Sequence, residues 1–312
     1  MNQKNLTHHH ESLTNQTPVW TALVTPFTAQ GSIDFPCLKQ LAHTQADAGN
    51  ALLLLGSTGE GLALSLAEQK QIVEFVCQLS LNVPLMVAVG GYDLSAQVAW
   101  ITYCNTLPIS AYLLATPIYS KPGPVGQTQW FCELLDTADF PCMLYNVPSR
   151  SGVEIPLQTA KNVQDHPNCW AMKEASGDVS TFTRYRDHCP QLALFSGEDA
   201  LMPELAKAGA KGLVSVCSNV WPDATKRYVE LALTNNINTT SGLWKKAIAS
   251  LFHVANPIPV KILMHEQGTL SSPLLRAPLT HLELAESKTL LAENQHISQW
   301  LMQSQRQQNF GV

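Results

Sequence analysis

Eight short, almost wholly apolar runs punctuate the chain, and between them apolar residues recur at helical spacing. The first run, Trp20–Val24, stops at Thr25-Pro26, and the second is Ala51–Leu55. Pro84–Val89, Ala111–Ala115, Pro141–Tyr145, Cys169–Met172, Leu192–Phe195 and Gly212–Val216 follow, recurring about every 20 to 33 residues. Several are nearly continuous in Val, Ile, Leu or Ala, as parallel strands buried on both faces must be. Helix signals fill the gaps. Asp34 is an N-cap for a helix running to about Gly49, and Ser65 with Glu68 forms a capping box for one running to about Leu81.

This count and rhythm predict an α/β fold, a (β/α)8 TIM barrel over about 18–235, in preference to a doubly wound sheet. No Gly-x-Gly-x-x-Gly follows the first strand, which weighs against a dinucleotide fold. Residues 1–17 are polar and read as a disordered tail, in which His8-His9-His10 is a weak metal tract at most. From 236 to 312 the βα rhythm stops. Thr239–Ala255, Pro257–Gly268 and Thr280–Gln303 read as helices of a small C-terminal helical appendix.

Composition narrows the function class. The 312 residues carry a net charge of −5, so there is no basic footprint for nucleic acid or an anionic membrane. The aliphatic runs are too short to span a bilayer, and the N-terminus lacks the apolar core of a secretion signal. None of the eight cysteines forms a Cys-x-x-Cys pair. They read as small core residues of a reduced, cytoplasmic protein.

The candidate chemistry gathers where strands end, the face on which barrels carry their active sites. Lys173 follows the sixth strand. Poor solvation there would disfavour the ammonium and leave an amine able to attack a carbonyl. The commonplace alternative is a lysine that snorkels outward or pairs with Glu174. Gly56-Ser57-Thr58-Gly59-Glu60 closes the second strand, where backbone N–H groups and two hydroxyls can hold a carboxylate. It lacks the lysine of a phosphate loop. Tyr145 ends the fifth strand beside Lys173 and can move protons, although a lone tyrosine there would read as core edge. Arg150 follows a proline turn and suits bidentate capture of a carboxylate.

Taken together, Gly56–Glu60, Tyr145–Gly152, Lys173–Gly177 and Asn256-Pro257-Ile258-Pro259-Val260-Lys261 resemble the dihydrodipicolinate synthase family of class I aldolases, related to N-acetylneuraminate lyase. The likeness spans about Val19 to Leu291. It implies a homotetramer, a dimer of dimers, that condenses pyruvate with L-aspartate-4-semialdehyde in lysine and diaminopimelate biosynthesis. Carried over, Lys173 forms the imine with pyruvate, and Tyr145 relays protons with Thr58 and with Tyr119 of a neighbouring subunit. Ser57 and Thr58 receive the pyruvate carboxylate, Arg150 receives that of the semialdehyde, and Gly197 and Val214 line the site. The resemblance implies no metal and no organic cofactor. A related pyruvate-dependent aldolase or lyase acting on a sugar acid is the alternative, but such enzymes usually lack the arginine. An idle paralogue would have no reason to keep all four of Lys173, Tyr145, Thr58 and Arg150.

Departures stand out. Ser57 replaces the family's usual threonine and keeps its hydroxyl. Where feedback-regulated relatives hold lysine, this chain has Leu66, Gln69 and Ile118, with Asp93 at an asparagine position and no glutamate near Ala96-Gln97. Weak or absent inhibition by L-lysine is the expectation.

Overall fold

The computed structural model describes residues 10–15, 17–237 and 241–310. Eight parallel strands close into a barrel in sequence order: β1 (Val19–Ala22), β2 (Ala51–Leu54), β3 (Leu85–Val89), β4 (Ala111–Ala115), β5 (Cys142–Asn146), β6 (Cys169–Glu174), β7 (Ala193–Ser196) and β8 (Leu213–Ser215). Each lies within two residues of its predicted position. Period-two alternation sends Trp20, Leu53, Met86, Leu113, Met143, Phe195 and Val214 into the lumen. Their neighbours Leu52, Leu54, Val87, Leu114, Leu144 and Met172 face a second core beneath the helices. This double burial is why the strands read as unbroken apolar runs.

The predicted caps form. Asp34 accepts from the Cys37 N–H at 3.0 Å, and Ser65 and Glu68 complete a reciprocal capping box. All eight cysteines are free thiols, and most are buried.

Two expectations gain detail. Residues 1–9, with His8 and His9, lie outside the described residues, but 10–15 form a helical turn where a disordered tail is predicted. Leu13 is only 3% exposed, in the lumen cluster with Trp20 and Trp170, and Thr14 Oγ1 accepts from Trp170 Nε1 at 2.8 Å. Burying that leucine contributes about 2 kcal/mol. One apolar residue in a short polar stretch has no period to read.

The C-terminal part is helical, as expected, and it packs against the barrel. Its helices are Ser241–Leu251, Ile258–Glu266 and Lys288–Phe310, the last starting eight residues later than predicted. Residues 269–287 are instead irregular, with a single 3₁₀ turn at His281–Glu283. Trp244, Ile258, Leu263 and Trp300 join the barrel's outer core, where Trp244 stacks on Tyr228 at 4.2 Å between ring centroids.

Candidate active site

β6 runs two residues beyond its predicted end, because Lys173 and Glu174 still have strand partners on both sides. Lys173 pairs with Tyr145 of β5 and Phe195 of β7. A register shift where β5 meets β6 lets Trp170 and Ala171 both enter the lumen cluster. Met172 then faces the helices, Lys173 the lumen and Glu174 the helices again. That alternation removes the commonplace reading of Lys173. The Glu174 carboxylate accepts instead from Asn146 Nδ2 and from the Ser176 N–H, both at 2.9 Å. Burial pushes its pKa up.

Lys173 is 5% exposed, and its Nζ lies 4.3 Å from the centroid of the Tyr145 ring. Among the described residues the amine has no hydrogen-bond or ion-pair partner. Trp170 and Phe195 stand edge to face in the same lumen cluster. Gly197 closes on the lysine from β7: a Cβ there would come within 2.9 Å of Lys173 Cε and 2.6 Å of Ala175 Cβ. Only glycine fits. Val214 is fully buried in the lumen on β8.

The 56–60 loop is tightly folded. Gly59 passes so near β1 that a Cβ would stand 2.8 Å from the Leu23 carbonyl oxygen, and Thr25 Oγ1 donates to Gly59 O at 2.7 Å. Thr58 is buried, and its Oγ1 accepts from Asn256 Nδ2 at 2.9 Å. Glu60 holds a left-handed backbone (φ +56°) and is fixed by the C-terminal segment: Lys261 Nζ donates to Oε1 at 2.6 Å and the Arg276 N–H to Oε2 at 2.6 Å. Burial outweighs the attraction of Glu60 and brings Lys261 down to about 8. Arg150 rides a single helical turn, Pro148–Ser151, and its Nη2 donates to the Asn256 carbonyl at 3.5 Å.

A cavity of about 880 Å³ opens beside the 56–60 loop. Ser57, Tyr145 and Arg150 line it, and it continues past Leu66, Gln69, Asp93 and Ile118 to Lys70 and Tyr103. The predicted residues thus separate into groups. Lys173, Tyr145, Gly197 and Val214 share the barrel's inner wall, while Thr58 is tied to the same mouth through Asn256. Tyr119 stays apart. It is 93% exposed, on a left-handed backbone (φ +68°).

Residues 15–297 match the Dihydrodipicolinate synthetase family. The chain belongs to this family. It is 47% identical over 283 residues to the 4-hydroxy-tetrahydrodipicolinate synthase of Francisella philomiragia, covering 90% of this chain and 96% of that one. The enzyme of the same name from Wolbachia pipientis wMel is 42% identical, with the same coverage. Among solved structures, the chloride-inhibited dihydrodipicolinate synthase from Acinetobacter baumannii complexed with pyruvate superposes with a TM-score of 0.84 at 28% identity, covering 91% of this chain and 99% of that one. A relative from Cyanidioschyzon merolae with lysine bound gives 0.85 at 29%, over 91% and 98%. As a dihydrodipicolinate synthetase family member, the chain is an enzyme, a lyase-type synthase on a TIM barrel.

Two residues of this mouth went unread as site residues. Asn256 stood in the sequence only as part of a motif. Glu198 follows Gly197, and burial together with Asp199 raises its pKa to about 7, against the opposing pull of Lys173 and Arg150. A carboxylate two positions past a strand end was the available signal.

Proposed function

We propose that the chain condenses pyruvate with L-aspartate-4-semialdehyde to 4-hydroxy-tetrahydrodipicolinate, through an imine on Lys173. The observation that carries this reading is a buried lysine left without an ionic partner, against Tyr145, in a family whose named relatives are synthases of this kind. The amine adds to C2 of pyruvate, and loss of water leaves the imine. Its protonated form draws electrons from the methyl carbon, which loses a proton and becomes an enamine nucleophile. That carbon attacks the aldehyde, whose oxygen takes up a proton. Tyr145, Thr58 and the Tyr119 of a neighbouring copy carry the protons.

Ser57 and Thr58 receive the pyruvate carboxylate, and Arg150 holds that of the semialdehyde. Gly197 leaves room for the imine, and Val214 backs it. A small anionic aldehyde suits the arginine better than a polyhydroxylated sugar acid does. The chemistry on Lys173 needs neither metal nor organic cofactor. A homotetramer built as a dimer of dimers is supported by apolar side chains exposed near the cavity, Leu62, Leu66 and Tyr92, and by the exposed Tyr119. Free thiols throughout support a cytoplasmic setting.

Borohydride reduction with pyruvate tests the reading. We expect the mass of one reduced pyruvate on Lys173, and turnover with the semialdehyde exceeding that with sugar-derived aldehydes. No adduct, or the reverse preference, overturns it. A monodisperse monomer with full activity would contradict the assembly.

A further inference from the structure

The end of the barrel opposite the mouth is closed by a helical turn, 10–15, that lies almost wholly before the family match beginning at residue 15. Barrel interiors are ordinarily filled by bulky branched side chains. Here Ala51 and Ala111 open β2 and β4 within the lumen cluster, with Ala193 of β7 packed against it, so small side chains leave room at this level. Leu13 supplies the missing bulk beside Trp20 and Trp170. Thr14 fixes the second indole. Its Oγ1 gives its one hydrogen to the His10 carbonyl at 2.9 Å, which leaves a lone pair to accept from Trp170 Nε1 at 2.8 Å. Trp170 in turn meets Phe195 edge to face, with ring centroids 5.6 Å apart. Phe195 is the β7 partner of Lys173. A hydrogen bond, a ring contact and a strand pairing thus connect the far end of the barrel to the lysine.

We propose that Leu13 and Thr14 are positioning residues for the Lys173 amine: the turn 10–15 stops the barrel's far end and, by fixing the Trp170 indole, holds Phe195 and the lysine beside it in place. The inference rests on the imine reading of Lys173 and extends it, since neither residue touches a reacting atom. A lysine is a flexible four-carbon stem, and an ion pair is the usual means of fixing its end. Lys173 has no such partner among the described residues, so packing alone aims it. The Tyr145 ring and the close backbone of Gly197 form two of its walls, and Phe195 neighbours it in the sheet. Only the Phe195 side depends on a segment that the barrel itself does not supply.

The test compares the full-length enzyme with Thr14→Val, Thr14→Ser, Leu13→Ala, Trp170→Phe and Thr14→Val/Trp170→Phe. Rate and extent of borohydride trapping with pyruvate, kcat/KM for each substrate and unfolding temperature are measured for all. Thr14→Val keeps the shape of the side chain and removes the acceptor. We expect it to slow trapping, and to lower kcat/KM for pyruvate, about 10-fold. The extent of trapping should still reach one pyruvate per chain. The value of kcat/KM for the semialdehyde, which reports the steps after the imine, should stay close to wild type. A merely structural loss lowers the active fraction, and with it the extent and both values of kcat/KM. Thr14→Ser should restore the rate to within about 2-fold, because the hydroxyl returns. Leu13→Ala should slow trapping with the hydrogen bond intact. In the Trp170→Phe background, Thr14→Val should add less than about 2-fold, since the indole donor is gone. The inference is overturned if Thr14→Val or Leu13→Ala is trapped as fast as wild type, or if serine fails to restore the rate. It is equally overturned if the single losses multiply in the double variant, or if both values of kcat/KM fall together. A wild-type enzyme that pyruvate does not trap sinks the imine reading instead, a distinguishable result.

Discussion

Two buried lysines show how differently one side chain is used. Lys261 is wholly enclosed, and its ammonium is met by the Glu60 carboxylate at 2.6 Å, the Leu274 carbonyl at 2.9 Å and the Phe27 ring face at 4.1 Å. Lys173, nearly as buried, has a tyrosine ring at 4.3 Å and no anion in contact. Burying a charge is costly unless it is paired and hydrogen-bonded. The fold satisfies that requirement at 261, where the ion pair ties the C-terminal segment to the 56–60 loop. At 173 it leaves the requirement unmet. A fully partnered lysine is a fastener, whereas an unpartnered one is, on the function proposed above, a reagent.

The largest effect should come from the reagent. Lys173→Ala is expected to lower kcat by about 10⁴-fold or more with little change in unfolding temperature. Steady-state rates beside calorimetry would check it, and retained turnover would erase the contrast. Lys261→Met should invert the pattern. It strands the Glu60 carboxylate, so unfolding free energy in urea should fall by about 3–5 kcal/mol. Adding Glu60→Gln should recover part of that loss, and a stable single variant would deny Lys261 its fastening role.

A smaller effect involves Glu198. Its folded pKa, about 7, lies above the ordinary carboxylate value of 4.5. The stability associated with the protonated group is therefore fully present below about pH 4.5 and is lost as pH rises through 7. The unfolding temperature of wild type relative to Glu198→Gln should drop between pH 5 and pH 8, and parallel curves would refute the assignment. Smallest of all is the response to L-lysine. Gln69 spends its amide on the carbonyls of Gly61 and Leu64, at 2.9 and 3.0 Å, and Leu66 and Ile118 offer no polar partner. Initial rates should be nearly unchanged by millimolar L-lysine, and strong inhibition would show that the cavity recruits other groups.

The barrel was legible because strands buried on both faces have no polar positions to blur them, and Asp34, Ser65 and Glu68 sit where caps must be. The end of β6 was misread for the converse reason. Lys173 and Glu174 look like a strand's edge until the lumen on one face and Asn146 on the other account for them. Residue types and order pointed to Lys173, Tyr145, Thr58 and Arg150, but not to their supports. Asn256 meets Thr58 across 198 positions and Lys261 meets Glu60 across 201, and no local pattern records such a meeting. The late start of the last helix was hidden in the same way, since a polar stretch after Pro278 offers no stop signal. Nor did anything local mark Leu13 as a buried residue.

The clamp on the 56–60 loop also has an order in time. During synthesis all eight strands are translated before Asn256 and Lys261. A chain halted near residue 250 has all eight strands and Lys173 but lacks Asn256 and Lys261, the partners of Thr58 and Glu60. The clamp is thus the last part of this mouth that the polypeptide acquires, supplied by its final quarter.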